Sequence, residues 1–134
     1  MEIGRRIGER LPAGSIVLLV GPLGAGKTTL AKGVARGLGI AERIISPTFT
    51  IVSEYPGART LHHIDLYRIE GREQIDNLGL DDILWGDGVT LVEWGEKIEA
   101  DLSRPYYRVA LDIARDGGRD IAVEERPACL GRSP

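Results

Sequence analysis

The chain has 134 residues, 28% of them charged, a formal net charge of −3 and a sequence pI of about 5.4. That is the span of one domain, a sheet with helices on its faces, with little room for the lid and substrate domains of larger nucleotide-handling enzymes. The acidic balance argues against a broad nucleic-acid-binding surface and leaves space for a local basic patch only. A lone cysteine, Cys129, excludes an internal disulfide and a Cys-rich metal site. No apolar run nears the ~20 residues of a membrane span, and the charged start MEIGRRIGERL lacks the apolar centre of a signal peptide. The expected setting is a reducing, bacterial-type cytoplasm.

Ile3, Ile7 and Leu11 recur four apart, predicting a short amphipathic helix that ends at Pro12–Gly14. SIVLLVG follows, a continuous apolar run that fits a strand buried on both faces. GPLGAGKTT, Gly21 to Thr29, matches G-x-x-x-x-G-K-[ST]. TTLAKGVARGLGI then sets Leu30, Val34 and Leu38 on one face of a helix, with Gly39 as its stop. After ISPTFT the pattern alternates, and a β-hairpin is predicted with its turn near Pro56–Ala58 and LHHIDLY as the return strand. EGREQIDNLGLDDILW reads as one helix broken at Gly79 or as two short ones. VTLVEW is a second buried strand, GEKIEADL a short helix, and YYRVALDIA with IAVEE a closing hairpin that turns at Gly117–Gly118. Residues 1–126 are expected to form one domain, with 127–134 a frayed tail. The order strand, phosphate loop, helix makes the class α/β: a mixed, mainly parallel sheet, helices on both faces and added β-hairpins.

The loop's spacing has a physical cause. Gly21, Gly24 and Gly26 let backbone curl around phosphate oxygens with no Cβ in the way. Successive N–H groups over Leu23, Gly24, Ala25 and Gly26 then form an anion nest, and the following helix adds the positive end of its dipole. Lys27 is placed for the β- and γ-phosphates, the Thr28 hydroxyl for Mg²⁺ and Thr29 for the α-phosphate. Such a site needs an acid at the end of a neighbouring strand. Glu93 ends the better buried strand and is the first choice for the metal. Asp65 ends LHHID and suits orienting or deprotonating the attacking water, or supporting the metal. Either acid could instead cap a turn. Ser46 and Thr48 can offer hydroxyls to phosphate or Mg²⁺ as a γ-phosphate sensor, and an ST-type turn that starts a strand accounts for them equally well. Trp94 can stack on a base or a partner, although core packing is the commoner fate of a tryptophan and is favoured for Trp85. His62 and His63 are neighbours on a strand, so they point to opposite faces and are poorly placed to share a metal; a packed or solvated histidine is the favoured reading of each. Arg115 and Arg119 flank the Gly117–Gly118 turn and could reach phosphate or base, or simply be solvated.

GPLGAGKTTLAKG, SPTFTIVSEY, HHIDLYRI and VEWGEK, in this order from about Gly14 to Lys97, resemble the TsaE (YjeE) family, with a weaker echo in GGRDIAV. The resemblance implies a P-loop NTPase fold and a small bacterial ATPase, weak alone, that serves threonylcarbamoyladenosine synthesis on tRNAs reading ANN codons. In that family TsaD, paired with TsaB, performs the transfer, and ATP hydrolysis by the docked TsaE permits repeated rounds. It implies ATP and Mg²⁺ as cofactors, Thr28 and Glu93 as Mg²⁺ ligands, and Lys27 with its loop as the phosphate site. It also implies Ser46 and Thr48 as a switch-like segment, Asp65 as the catalytic acid, and Trp94 near nucleotide and partner. tRNA contact is then indirect. Two departures stand out. The sequence starts at about the first helix, where family members carry several more residues with a hydroxyl near the base, and Pro22 stands where Asp is usual. The alternative is a small-molecule P-loop kinase, which needs an arginine-bearing lid; GEKIEADLSRPYYR offers Lys97, Arg104 and Arg108 but little length for one. A GTP switch expects an N-K-x-D base reader, and none occurs.

Overall fold

The run Ile16–Val20 forms strand β1, and all five of its residues are buried, as the unbroken apolar pattern requires. The computed structural model describes residues 2–22, 24–44 and 51–129; Leu23, Ser46 and Thr48 lie outside them. β1 is flanked by β4 (Val89–Glu93) and β5 (Tyr106–Ile113), both parallel to it. β3 (Leu61–Asp65) continues the parallel core beside β4. β2 (Val52–Tyr55) and β6 (Arg119–Arg126) then add antiparallel to β3 and β5. The order across the six-stranded sheet is β2-β3-β4-β1-β5-β6. The expected hairpins thus lie at the two edges, because short turns can join only antiparallel neighbours, whereas the parallel strands need longer crossovers.

Alternation along the strands divides the core in two. Val17, Leu19, Leu61, Val89 and Leu91 pack against Leu30, Ala31 and Val34 of α2 (Lys27–Gly37). Ile16, Leu18, Ile64 and Val92 face the other way, toward Leu80, Ile98 and Leu102. On that side the segment after β3 forms two short helices, α3 (Gly71–Asn77) and α4 (Asp81–Leu84), separated by Gly79 at φ +63. GEKIEADL forms two 3₁₀ turns, Gly95–Lys97 and Glu99–Asp101, rather than one helix. The chain passes so close to β1 here that a Cβ on Gly95 would stand 2.5 Å from that of Leu18.

α1 (Glu2–Arg10) forms where expected but packs through a different face. Ile3 is 48% exposed, and the buried positions are Gly4 and Gly8. A Cβ on Gly8 would lie 2.2 Å from the Val34 carbonyl oxygen, and one on Gly37 only 2.1 Å from that of Arg5. α1 and α2 therefore meet backbone to backbone, through glycines spaced four apart in GRRIG and GVARG, the small-residue spacing that permits close helix approach. Trp85, expected in the core, is 58% exposed. α4 is a single turn whose inward positions are taken by Leu80, Ile83 and Leu84, so the Trp85 ring is left outside with the Arg104 guanidinium 5.1 Å above it. From the expected tail, Cys129 is described: its N–H donates to the Leu102 carbonyl at 3.0 Å.

Candidate nucleotide and metal site

Strands β1, β3 and β4 run parallel, so their carboxyl ends share one edge of the sheet, the usual place for a ligand in an open α/β fold. α2 starts at that edge. The loop between β1 and α2 uses its glycines as the spacing requires: φ is +82 at Gly24 and +99 at Gly26, and a Cβ on Gly21 would lie 2.3 Å from the Leu111 carbonyl oxygen. Gly26 is the N-cap of α2 and has no side chain to cap it, which leaves the first N–H groups of the helix to a ligand.

Lys27 opens α2 and is 5% exposed. Its ammonium donates to the Gly21 carbonyl at 2.5 Å and lies 3.5 Å from the centroid of the Trp94 ring. Burial holds its pKa below the usual lysine value, a shift opposed by the charges of Glu96, Glu93 and Asp65. Thr28 Oγ1 donates to Glu93 Oε1 at 3.0 Å, joining the first turn of α2 to the end of β4. The Glu93 carboxylate is 3% exposed, and its second oxygen, Oε2, lies 2.6 Å from His63 Nε2. Asp65 is paired in register with Glu93 across β3 and β4, so the two carboxylates end adjacent strands on one face. Asp65 Oδ1 accepts a hydrogen bond from the Tyr67 N–H at 3.0 Å.

Trp94 follows Glu93 at φ +61, a left-handed conformation that costs a non-glycine residue roughly 1–2 kcal/mol. That turn lays its ring against Lys27 and Tyr67, the two aromatic centroids being 5.2 Å apart. Trp94 is therefore a half-buried wall of the site rather than a core residue. Arg119 joins the closing hairpin to the loop: Nη2 donates to the Gly24 carbonyl at 3.2 Å and Nη1 to that of Gly117 at 2.9 Å.

One cavity of about 510 Å³, within the size range of small-molecule sites, is lined by Gly24, Gly26, Lys27, Thr28, Thr29, Asp65, Glu93, Trp94 and Arg119, joined by Tyr67 and Arg68. Ala25 is fully buried behind the loop, and Arg115 is exposed away from the cavity. Three contributors went unforeseen as parts of the site: His63, the Tyr67–Arg68 pair and Lys97. A sequence signal existed for His63, which lies two residues before Asp65 on one strand and so on the same face. Lys97 was legible only as a charge. Its ammonium donates to the carbonyls of Leu66, Tyr67 and Ile69 at 2.8, 3.0 and 2.8 Å, pinning the segment that carries Asp65 into the site. Lys97→Met is expected to cost about 2 kcal/mol, the scale of hydrogen bonds to a charged group, and to speed amide exchange over residues 66–69. Urea unfolding and hydrogen exchange check both, and wild-type exchange there would refute the pinning role.

The donors present suit Mg²⁺, a hard ion held by oxygen: a hydroxyl and a carboxylate already meet at 3.0 Å beside a phosphate cradle. Among the described residues no group of three His, Cys, Asp or Glu could hold a metal by itself.

A family model described as threonylcarbamoyl adenosine biosynthesis protein TsaE matches residues 1–121. The tRNA threonylcarbamoyladenosine biosynthesis protein TsaE of Treponema pallidum is 42% identical over 120 residues, which cover 90% of this chain and 89% of that protein. The protein of the same name from Bacillus subtilis is 46% identical over 109 residues, 81% of this chain and 68% of its own. Among solved structures, Bacillus subtilis YdiB superimposes with a TM-score of 0.76 at 38% identity, covering 94% of this chain and 76% of that one. A phosphate loop, a carboxylate pair in register and a match over most of the sequence agree: the chain belongs to the TsaE family of tRNA threonylcarbamoyladenosine biosynthesis proteins.

Proposed function

We propose that the protein is the Mg²⁺-dependent ATPase of the threonylcarbamoyladenosine machinery, hydrolysing ATP to support repeated turnover of a TsaB–TsaD pair in the cytoplasm, with tRNA met only through that complex. The observation that carries the reading is the Thr28–Glu93 contact at 3.0 Å with Asp65 in register beside it. The loop N–H groups over residues 23–26 and the Lys27 ammonium bind the phosphates, the Ala25 N–H leaving the Pro22 carbonyl and Lys27 the Gly21 carbonyl to do so. Thr29 adds a hydroxyl to the α-phosphate, and Trp94 and Arg119 border the nucleotide. Thr28 and Glu93 hold Mg²⁺, which when bound neutralises charge developing on the phosphate oxygens. Asp65 orients the attacking water and accepts its proton. Ser46 and Thr48, outside the described residues, are assigned to sensing the γ-phosphate. Asp65→Asn is therefore expected to keep nucleotide affinity within about threefold and to lower turnover by about 10²-fold or more, the scale of a lost general base. Comparing fluorescent-nucleotide binding with phosphate release checks this, and equal losses in both would reassign Asp65 to binding.

The kinase alternative is disfavoured by where its basic residues sit. Lys97 is occupied by three carbonyls, Arg108 pairs with Glu99 at 3.2 Å, and Arg104 donates to the Leu84 carbonyl. None of the three lines the cavity. The deciding experiment adds purified protein and ATP to a TsaB–TsaD pair with tRNA and counts rounds of modification. Stimulation that needs hydrolysable ATP supports the reading; rapid phosphorylation of a metabolite, with no effect on the pair, replaces it.

A further inference from the structure

We infer that His63 is a positioning residue for Glu93, fixing one carboxylate oxygen so that the other is presented to Thr28 and the metal; this rests on the nucleotide-site reading above. His63 is fully buried. It stands on β3 between Leu61 and Asp65, on the face that packs against α2, and is paired in register with Leu91. Its neighbours on this face toward the start of β3 and β4 are apolar, so a leucine would meet the packing demand. The histidine instead brings a polar cost. Its Nδ1 is buried with no hydrogen-bond partner among the described residues, which costs stability. His62, on the opposite face, is partly exposed and lies 3.6 Å from Glu54, so the cost is particular to position 63.

Among the described residues Nδ1 has no partner, and this points to the direction of the bond. A proton on Nδ1 would be a buried donor with no acceptor among them, so the proton is assigned to Nε2, which then donates to Glu93 Oε2 at 2.6 Å. Thr28 donates to the other oxygen at 3.0 Å. Glu93 thus receives one hydrogen bond on each oxygen, from two elements, and its rotation is fixed from both sides. Carboxylates that ligate metals are themselves commonly held this way, and removal of the outer partner typically weakens metal binding about 10–100-fold.

Two substitutions separate positioning from packing. Glutamine sets its amide nitrogen near the place of histidine Nε2, whereas asparagine reaches only the place of Nδ1. His63→Gln can still donate to Glu93; His63→Asn cannot, although it buries a similar amide. The full-length chain is titrated with a fluorescent ATP analogue in Mg²⁺ and again in EDTA, and the Mg²⁺ concentration that half-saturates the tightening is measured. In His63→Asn that concentration is expected to rise at least tenfold, with EDTA affinity within about twofold of wild type, and in His63→Gln to stay within about threefold. Identical Mg²⁺ responses in the two variants, or an equal loss in EDTA, overturn the positioning role. If His63→Asn does not fold, His63→Gln decides alone: retained Mg²⁺ half-saturation supports the role and a tenfold rise overturns it. Wild-type binding that ignores Mg²⁺ would instead refute the nucleotide-site reading, and this inference with it.

Discussion

Glu93→Gln is expected to lower Mg²⁺-dependent ATP turnover by about 10²–10³-fold, the scale of removing a preorganised electrostatic group from a site. Glutamine has nearly the shape of glutamate, so the β4 backbone has no reason to move. The chemistry changes in two ways. The negative charge beside Lys27 and the proposed metal position is lost. Both hydrogen bonds at Glu93 are received by carboxylate oxygens, from Thr28 Oγ1 and from His63; an amide offers one oxygen and one N–H₂, so if the oxygen keeps the His63 bond, the N–H₂ meets Thr28 Oγ1, which must turn from donor to acceptor. Nucleotide binding in EDTA should survive, because the loop N–H groups and Lys27 are untouched. Lys27→Ala should differ in kind, with binding lost in Mg²⁺ and EDTA alike. Phosphate release measured with binding in both conditions checks the pair, and a Glu93→Gln protein that turns over at the wild-type rate would remove Glu93 from the metal site.

Gly8→Ala is expected to destabilise the fold by about 3 kcal/mol, the upper part of the range for overpacking, and to lower Tm by roughly 10 °C in a domain of this size. In a solvated helix the same change would stabilise by roughly 1 kcal/mol through helix propensity. Here the sterics decide the sign. The added methyl would stand 2.2 Å from the Val34 carbonyl oxygen and 3.0 Å from the Gly37 Cα, backbone atoms that cannot rotate away. α1 must lift from α2, and the partly buried Ile7 and buried Leu11 lose contact with the core. Because α2 carries Lys27 and Thr28 at its other end, a small loss of nucleotide affinity should accompany the stability loss. Thermal unfolding settles the point; an unchanged or raised Tm would mean that the helices do not touch backbone to backbone.

Local pattern and chemistry carried much of this protein into view. A run such as SIVLLV has no polar face, which fits a strand buried on both sides, and β1 is that strand. The loop glycines were readable because positive φ at Gly24 and Gly26, and close backbone approach at Gly21, leave few other residues possible. Asp65 and Glu93 were candidates because each ends a predicted strand, Asp65 the hairpin's return strand and Glu93 a buried one. What the pattern left open depended on partners distant in sequence. Ile3 looked like the buried face of α1, but the face that an amphipathic helix buries depends on what lies opposite, and α2 offers glycine backbone to Gly4 and Gly8. Trp85 looked like core, but a one-turn helix filled its share of the sheet with smaller apolar side chains first. His63 read as a packed or solvated histidine because its bond to Glu93 spans thirty positions of chain. The direction of that bond is inferred from a buried nitrogen that has no partner among the described residues. The sequence by itself determined the strands, the phosphate loop and the acids that could serve it. Tertiary structure decided which oxygen meets which donor, because strand register and helix approach set those distances to within an ångström and no local pattern encodes them.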